Sequence, residues 1–260
     1  MSEFTFSLAG FELFLLVFVR VATFFFIAPF FSDNGFPNIT KIGLAGIIAI
    51  MTVYAVPLTE TPYETVWGYA VLVVREAIVG LLIGYAASMC NTIIIFAGNI
   101  IDMDIGLSMV SEFDPSMNVQ MTVTAQIYYY FMLLMMLVTN FHQYVLRAVT
   151  DSFELIPLGG AQIEPDYLLT AFIEFMTNVF VIGFRIMLPV FATILVVNCV
   201  LGIMAKVAPQ MNMFSIGVQI KIIAGLLILF VMVFLFPEVA EMVFDEMKLT
   251  MANMVDGLHE

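Results

Sequence analysis

Charge is scarce in this chain. Lys and Arg together number 8, and Asp and Glu 21, among 260 residues. At 11%, charged residues reach about half the share that a soluble domain of this length carries. With 62% hydrophobic residues and a mean hydropathy of +1.06, water is excluded as the main solvent. The net charge of −13 and the scatter of the basic residues argue against nucleic acid and anionic headgroups as partners. Histidine is nearly missing too: His142 and His259 leave little from which to build a metal site, and no metal or other cofactor is expected. The two cysteines, Cys90 and Cys199, lie in apolar segments and read as small buried hydrophobes, not as a disulfide or a metal pair. There is no Walker A sequence, so energy from ATP would have to come from a partner. The opening MSEFTFSLAGFE lacks a basic stretch and carries Glu3 and Glu12, so the first apolar run reads as a retained helix and not as a cleaved leader.

What is present is one apolar block after another. Six are recognisable, at approximately 11–31, 42–58, 66–101, 121–139, 168–203 and 214–237, and the sixth ends in IIAGLLILFVMVFLF. Such lengths match the roughly 20 apolar residues that span a bilayer of about 30 Å, so an all-α membrane fold in contact with lipid is expected. The third and fifth blocks are too long: about 36 helical residues would extend roughly 54 Å. Gly80 and Gly84 in the third, and Gly183 and Pro189 in the fifth, are the expected points of kinking or re-entry. Gly80 and Gly84 also form a small-xxx-small pair, GLLIG, of the kind that lets another helix approach closely.

Ionisable residues inside apolar blocks face protein or water far more often than lipid. Arg75, Glu76, Glu174 and Arg185 sit among apolar neighbours, and Lys221 lies in the last block. Arg75 and Glu76 diverge by about 100° on a helix and need separate partners. With Arg185 and Lys221 they are expected to pair between helices or between subunits. The connections carrying Lys41 and Lys206 hold few acids, whereas those at 59–65 and 140–167 are acidic. The positive-inside rule then places the 32–41 and 203–213 loops in the cytoplasm and both termini outside.

One stretch departs from the rest: GLSMVSEFDPSMNVQM, residues 106–121. Catalytic templates fit it poorly. GLSM is not the nucleophile elbow G-x-S-x-G, and Ser108 has no base nearby in sequence. DMDIG, residues 102–106, opens like a calcium-binding loop, but the Glu required at its twelfth position is Phe113. No enzymatic activity is expected. Methionine is abundant, at 20 residues, with Met103, Met109, Met117 and Met121 around this stretch and Met204, Met211 and Met213 near the last short loop. Flexible thioethers re-pack around differing surfaces, which suits a seal without one fixed partner.

The run NCVLGIMAKVAPQMNMFSIGVQIKIIAGL (198–226) closely resembles the signature of the FliR family, the R-type export-gate protein of the flagellar type III secretion apparatus. Its most specific portion holds Pro209, Gln210, Met211, Asn212, Phe214 and Gly217. APFFSDNGFPNITKIGLA (28–45), GNIIDMDIGLSMVSEFDP (98–115) and PLGG (157–160) agree in order. The resemblance implies a single export-gate domain over 1–260. Within it, about 1–165 would be a P-like part, about 166–240 a Q-like helical hairpin, and 241–260 an acidic tail. It implies assembly with the P-type and Q-type export-gate proteins, association with the B-type switch protein, and passage of unfolded flagellar subunits through the centre. The location implied is the bacterial inner membrane at the flagellar basal body.

In that family the segment matching residues 106–121 lies in the pore and acts as a plug. The residues here suit that part. Gly106 and Pro115 prevent a continuous helix, and non-helical backbone at membrane depth is tolerable only against protein or a water-filled cavity. Ser108, Ser111 and Ser116 can satisfy local backbone groups, while Met109, Phe113 and Met117, with Leu107 and Val110 beside them, supply apolar closure. Glu112 and Asp114 add charge. The chain departs from the family pattern in carrying Asp102 and Asp104 where Gly and Gln are frequent, acids that fit a pore-facing surface, and Gln219 where Pro is frequent. The alternative reading is a small secondary transporter that uses Arg75, Glu76, Arg185 and Lys221 for coupling; no internal repeat supports it.

Overall fold

The computed structural model describes residues 8–31, 37–55, 63, 65–108, 121–210 and 212–258. Among them the regular structure is helical throughout. The helices are α1 (Leu8–Ile27), α2 (Asn38–Ala55), α3 (Val66–Met89), α4 (Asn91–Ile105), α5 (Val123–Val138), α6 (Phe141–Leu155), α7 (Pro165–Val207), α8 (Met213–Met232) and α9 (Phe236–Asp256). A short 3₁₀ turn, Val233–Leu235, links the last two. Five stretches are long and apolar enough to cross a membrane, or six if α5 and α6, bent at the break between them, count as one span. The all-α membrane fold expected from composition is what the chain forms.

The helices fall into two compact units, interleaved along the sequence. The first comprises residues up to Met89, Asn140–Phe175 and Glu246 onward. Its centre is α1 against α3. On α1, Val17, Val21 and Phe24, with Ala28 just past its end, are fully buried at a spacing of three and four, one face of a 3.6-residue helix. On α3 the facing residues are small. A Cβ placed on Gly80 would overlap the carbonyl oxygen of Arg20, and one on Gly84 would sit 3.0 Å from that of Phe24. Lipid tails are as apolar as leucine, so this close backbone approach, with its dispersion contacts, supplies much of the helix association.

Gly80 and Gly84 therefore do not break α3, contrary to expectation; they dock it. The interruption falls later, at Cys90, between α3 and α4. The connection read as an acidic loop over 140–167 also differs, since much of it is α6. Phe141, Val145, Val149, Ser152 and Phe153 line its buried face, and Gln143, Arg147, Asp151 and Glu154 are not buried. At the other end of the sequence, residues 241–256 continue α9, burying Val243, Met247, Met251 and Met254.

The second unit holds Cys90–Thr139 and Met176–Asp245. Here α4 packs on α5, with Gly98 so close to Ala125 that a side chain on the glycine would strike its backbone. Gly183 on α7 lies under Phe96, whose ring stands edge-on to Phe180 and Phe184 at centroid distances of 5.2 and 5.7 Å. Gly225 on α8 receives the side chain of Ile105, 2.6 Å from where its own Cβ would be. The expected break at Gly183 or Pro189 is absent. α7 runs unbroken for 43 residues, roughly 65 Å at 1.5 Å per residue, with Pro189 inside it as membrane helices tolerate.

Candidate functional site: polar anchors in two apolar units

Polar contacts that serve as anchors form in each unit. In the first, the anchor is Arg20 on α1. Its Nε donates to Glu76 Oε2 on α3 at 2.6 Å, and both side chains are fully buried. Nη1 donates to the carbonyls of Ser152 and Ile156, at 3.2 and 3.1 Å, where α6 ends. Those carbonyls lie at the C-terminal end of a helix, which carries partial negative charge; that of Ser152 also accepts from the Ile156 amide at 2.8 Å. The guanidinium carbon also lies 4.2 Å from the centre of the Phe153 ring, a cation–π contact. Glu76 uses its other oxygen, Oε1, to accept from the Gly159 amide at 2.8 Å. Arg75 Nη1 donates to the Gly159 carbonyl at 3.1 Å. Adjacent residues on α3 thus hold the two faces of one glycine in the PLGG turn, whose φ of 73° suits glycine.

The second anchor is Asp102, near the end of α4. It too is fully buried. Oδ2 accepts from the backbone amide of Thr124 at 2.8 Å, and Oδ1 accepts from the Thr124 hydroxyl. Thr124 is in the first turn of α5, whose amides lack intrahelical acceptors, so a carboxylate there meets both free donors and the positive end of the helix dipole. One turn earlier on α4, Asn99 Oδ1 accepts from the hydroxyl of Thr122 at 3.0 Å. Gly106 ends α4 with φ 94°, its amide donating to the carbonyl of Asp102 at 3.0 Å. Asp104 interacts electrostatically with Lys221 on α8.

These contacts place several of the residues singled out in the sequence. Glu76, expected to pair across helices or subunits, pairs with Arg20 inside the chain, and Arg75 is held by Gly159. Lys221 has Asp104 as a neighbour within its own unit. Arg185 is exposed and makes no ion pair or hydrogen bond among the described residues. Asp102 is not turned toward a pore; it is sealed between α4 and α5. Of the stretch 106–121, Gly106 and Leu107 form a turn and Ser108 follows. Met109, Val110, Ser111, Glu112, Phe113, Asp114, Pro115, Ser116 and Met117 lie outside the described residues. In the signature loop Pro209 and Gln210 make a turn, and Asn212 caps α8 by accepting from the Ser215 amide at 3.4 Å. Gly217 is buried in α8 facing Leu201, Phe214 is in its first turn, and Met211 lies outside the described residues. Arg20, Asn99 and Thr124 were not legible as sites. For Arg20 a signal existed: it is the one charge between Glu12 and Asp33 in an apolar run.

The sequence model for bacterial export proteins, family 1, matches residues 11–247, which include both anchors and the signature loop. The chain is also similar to the flagellar biosynthetic protein FliR of Bacillus subtilis (strain 168), 32% identical over 252 residues, 94% of this chain and 95% of that protein. The chain belongs to the FliR family of bacterial export proteins. Proteins of the same name from Pectobacterium carotovorum subsp. carotovorum and Escherichia coli (strain K12) are 28% and 26% identical over 241 and 243 residues. Each comparison covers more than nine-tenths of both chains. In this FliR-family chain, polar groups within the helices do structural work on backbone ends, as the orphan amides and carbonyls of membrane helices require.

Proposed function

We propose that this protein is a subunit of the flagellar type III export gate in the bacterial inner membrane. In this reading it assembles with the P-type and Q-type gate proteins and the B-type switch protein at the basal body. Unfolded flagellar subunits pass through the assembly. The observation that carries the reading is the match to family 1 of the bacterial export proteins over residues 11–247, together with similarity along nearly the whole chain to proteins named for flagellar biosynthesis.

The physical features agree with a part of a larger assembly. A helix of roughly 65 Å outruns a hydrocarbon layer of about 30 Å, and α7 keeps Phe172, Ile173, Phe180, Leu188, Leu195 and Ile203 exposed along most of that length. Apolar surface beyond the lipid needs protein to cover it. The exposed Arg185 belongs to the same face-covering requirement, with an acidic partner supplied by another chain. In this assembly the stretch 106–121 seals the channel, its apolar residues closing against a methionine-lined constriction and its serines satisfying local backbone. The P-like part covers about 1–165 and the Q-like hairpin about 166–240.

The test is purification in mild detergent from cells that also produce the P-type and Q-type proteins. The chain should co-purify with both and lose solubility when they are withheld. A chain that stays folded and monodisperse alone, or as a homodimer binding a small solute, would speak for the secondary transporter instead.

A further inference from the structure

Between the PLGG turn and α7, residues 161–164 form neither helix nor turn. They lie along the residues just past α9: the amide of Gln162 donates to the Leu258 carbonyl at 3.1 Å, and that of Glu164 to the Gly257 carbonyl at 3.2 Å. Two amides, two residues apart, thus bond toward the same side, which is the alternation of extended backbone. The amides in between, of Ala161 and Ile163, belong to the opposite edge. Neither makes a hydrogen bond among the described residues. Ala161, Gln162 and Ile163 line a cavity of about 590 Å³ within the first unit, whose α3 side is formed by Arg75, Ile78 and Val79. Arg75 is exposed, and its one hydrogen bond, to Gly159, leaves most of the guanidinium's donors open. It makes no ion pair among the described residues.

We propose that this cavity is a docking groove for an extended, acid-bearing peptide segment of another subunit, which offers backbone carbonyls to the Ala161 and Ile163 amides and a carboxylate to Arg75. The inference rests on the reading of the chain as a subunit of the export gate, and deepens it by naming the kind of contact made. Three features select the occupant. Free amides two residues apart match the repeat of carbonyls along an extended chain, the pattern used when a peptide adds to an open strand edge. Unpaired backbone donors beside apolar helices cannot be left against lipid tails, which hold no acceptors. The guanidinium fork suits a carboxylate, and Ile78 and Ile163, the latter 52% exposed, offer apolar contact to the side chains beside it. A phospholipid headgroup would satisfy the guanidinium but has no row of acceptors at the spacing of the two amides.

The test places the photo-crosslinking residue p-benzoylphenylalanine at position 163 in cells that produce the whole gate, and maps the crosslinks in the purified complex by mass spectrometry. The expected product joins that position to one stretch of a partner subunit carrying Asp or Glu within about three residues of the attachment point, the reach of an extended chain across the cavity. Hydrogen exchange in the unaltered complex needs no variant: the Ala161 and Ile163 amides should exchange as slowly as those of Gln162 and Glu164, which are bonded within the chain. Ile163→Pro removes one free amide without touching a bond that the chain makes to itself. It should lower the yield of complex by about tenfold, the loss expected when a hydrogen bond is broken and its acceptor is left buried and unsatisfied. Ile163→Val keeps the amide and should leave the yield unchanged. Adducts at position 163 with phospholipid or detergent alone, or free exchange of the two amides in a complex of normal composition, would overturn the groove and leave the gate reading standing. A crosslink onto a helix of the partner, with Ile163→Pro assembling normally, would do the same. If no partner co-purifies, the gate reading fails and the groove falls with it.

Discussion

Replacing Arg20 by Met tests how much of the first unit hangs on one buried charge. Met matches the length of the aliphatic stem but removes the guanidinium, so Glu76 keeps one hydrogen bond, from Gly159, and loses its countercharge. The carbonyls of Ser152 and Ile156 lose a donor at the same time. Removing one partner of a buried ion pair costs about 3–5 kcal/mol, because the other charge is left desolvated and unpaired. Against a total stability of roughly 5–15 kcal/mol, that lowers the ratio of folded to unfolded chain by about two orders of magnitude or more. The double variant Arg20→Met, Glu76→Leu should be more stable than Arg20→Met alone, since no charge is stranded. It should still fall about 1–3 kcal/mol below the original, because the Gly159 amide has lost its acceptor. Arg20→Lys should not rescue, as an ammonium cannot reach Glu76 and the end of α6 together with the fork of a guanidinium. The assay is the fraction of the detergent-solubilised complex with the P-type and Q-type proteins that stays monodisperse after heating, read by size exclusion across a temperature series. If Arg20→Met is as stable as the original, or if the double variant loses the sum of the two single losses, the account of this anchor is wrong.

Three further outcomes follow from the same structure. Gly80→Ala should lower the folded yield, by about 1–3 kcal/mol of overpacking, because its Cβ meets backbone at Arg20, whereas Gly202→Ala, with nothing within 4 Å, should be silent in the same expression assay. Arg185→Ala should reduce the yield of complex with the P-type and Q-type proteins without altering the heat resistance of the complex that does form, and Arg75→Ala should reduce both, since Arg75 also holds Gly159. In a background lacking Cys90 and Cys199, a cysteine at Asn212 should resist a membrane-impermeant thiol reagent in intact cells while one at Glu164 reacts; the reverse pattern would invert the topology drawn from the positive-inside rule.

The spans were legible in the sequence because apolar length is nearly sufficient to specify a membrane helix. Their breaks were not. Gly183 and Pro189 look like breakers in isolation, yet α7 passes both, since a glycine that receives Phe96 is a packing residue and its partner lies 87 positions away in the chain. α6 was missed for a different reason. Its composition is mixed, and only the spacing of Phe141, Val145 and Val149 betrays a buried face, a periodicity that apolar block lengths overlook. Acids in the connections and near the C-terminus read as solvated charge, but Glu246 is buried, as are Asp102 and Glu76 on the helices. A carboxylate's destination depends on which backbone ends it can satisfy, and that is a property of the fold. The family was legible from residues 198–226, where a proline turn, an asparagine cap and a buried glycine follow one another within nine positions.

The most direct test of the central claim is ion leak through cells that produce the chain without residues 110–116, with the yield of purified complex measured alongside. Both anchors lie outside the deleted residues, so the complex should assemble in normal amount. The channel, deprived of its apolar closure, should pass small ions that the unaltered complex excludes. An assembled complex that stays tight after the deletion would show that the stretch only connects α4 to α5, and that the seal lies elsewhere.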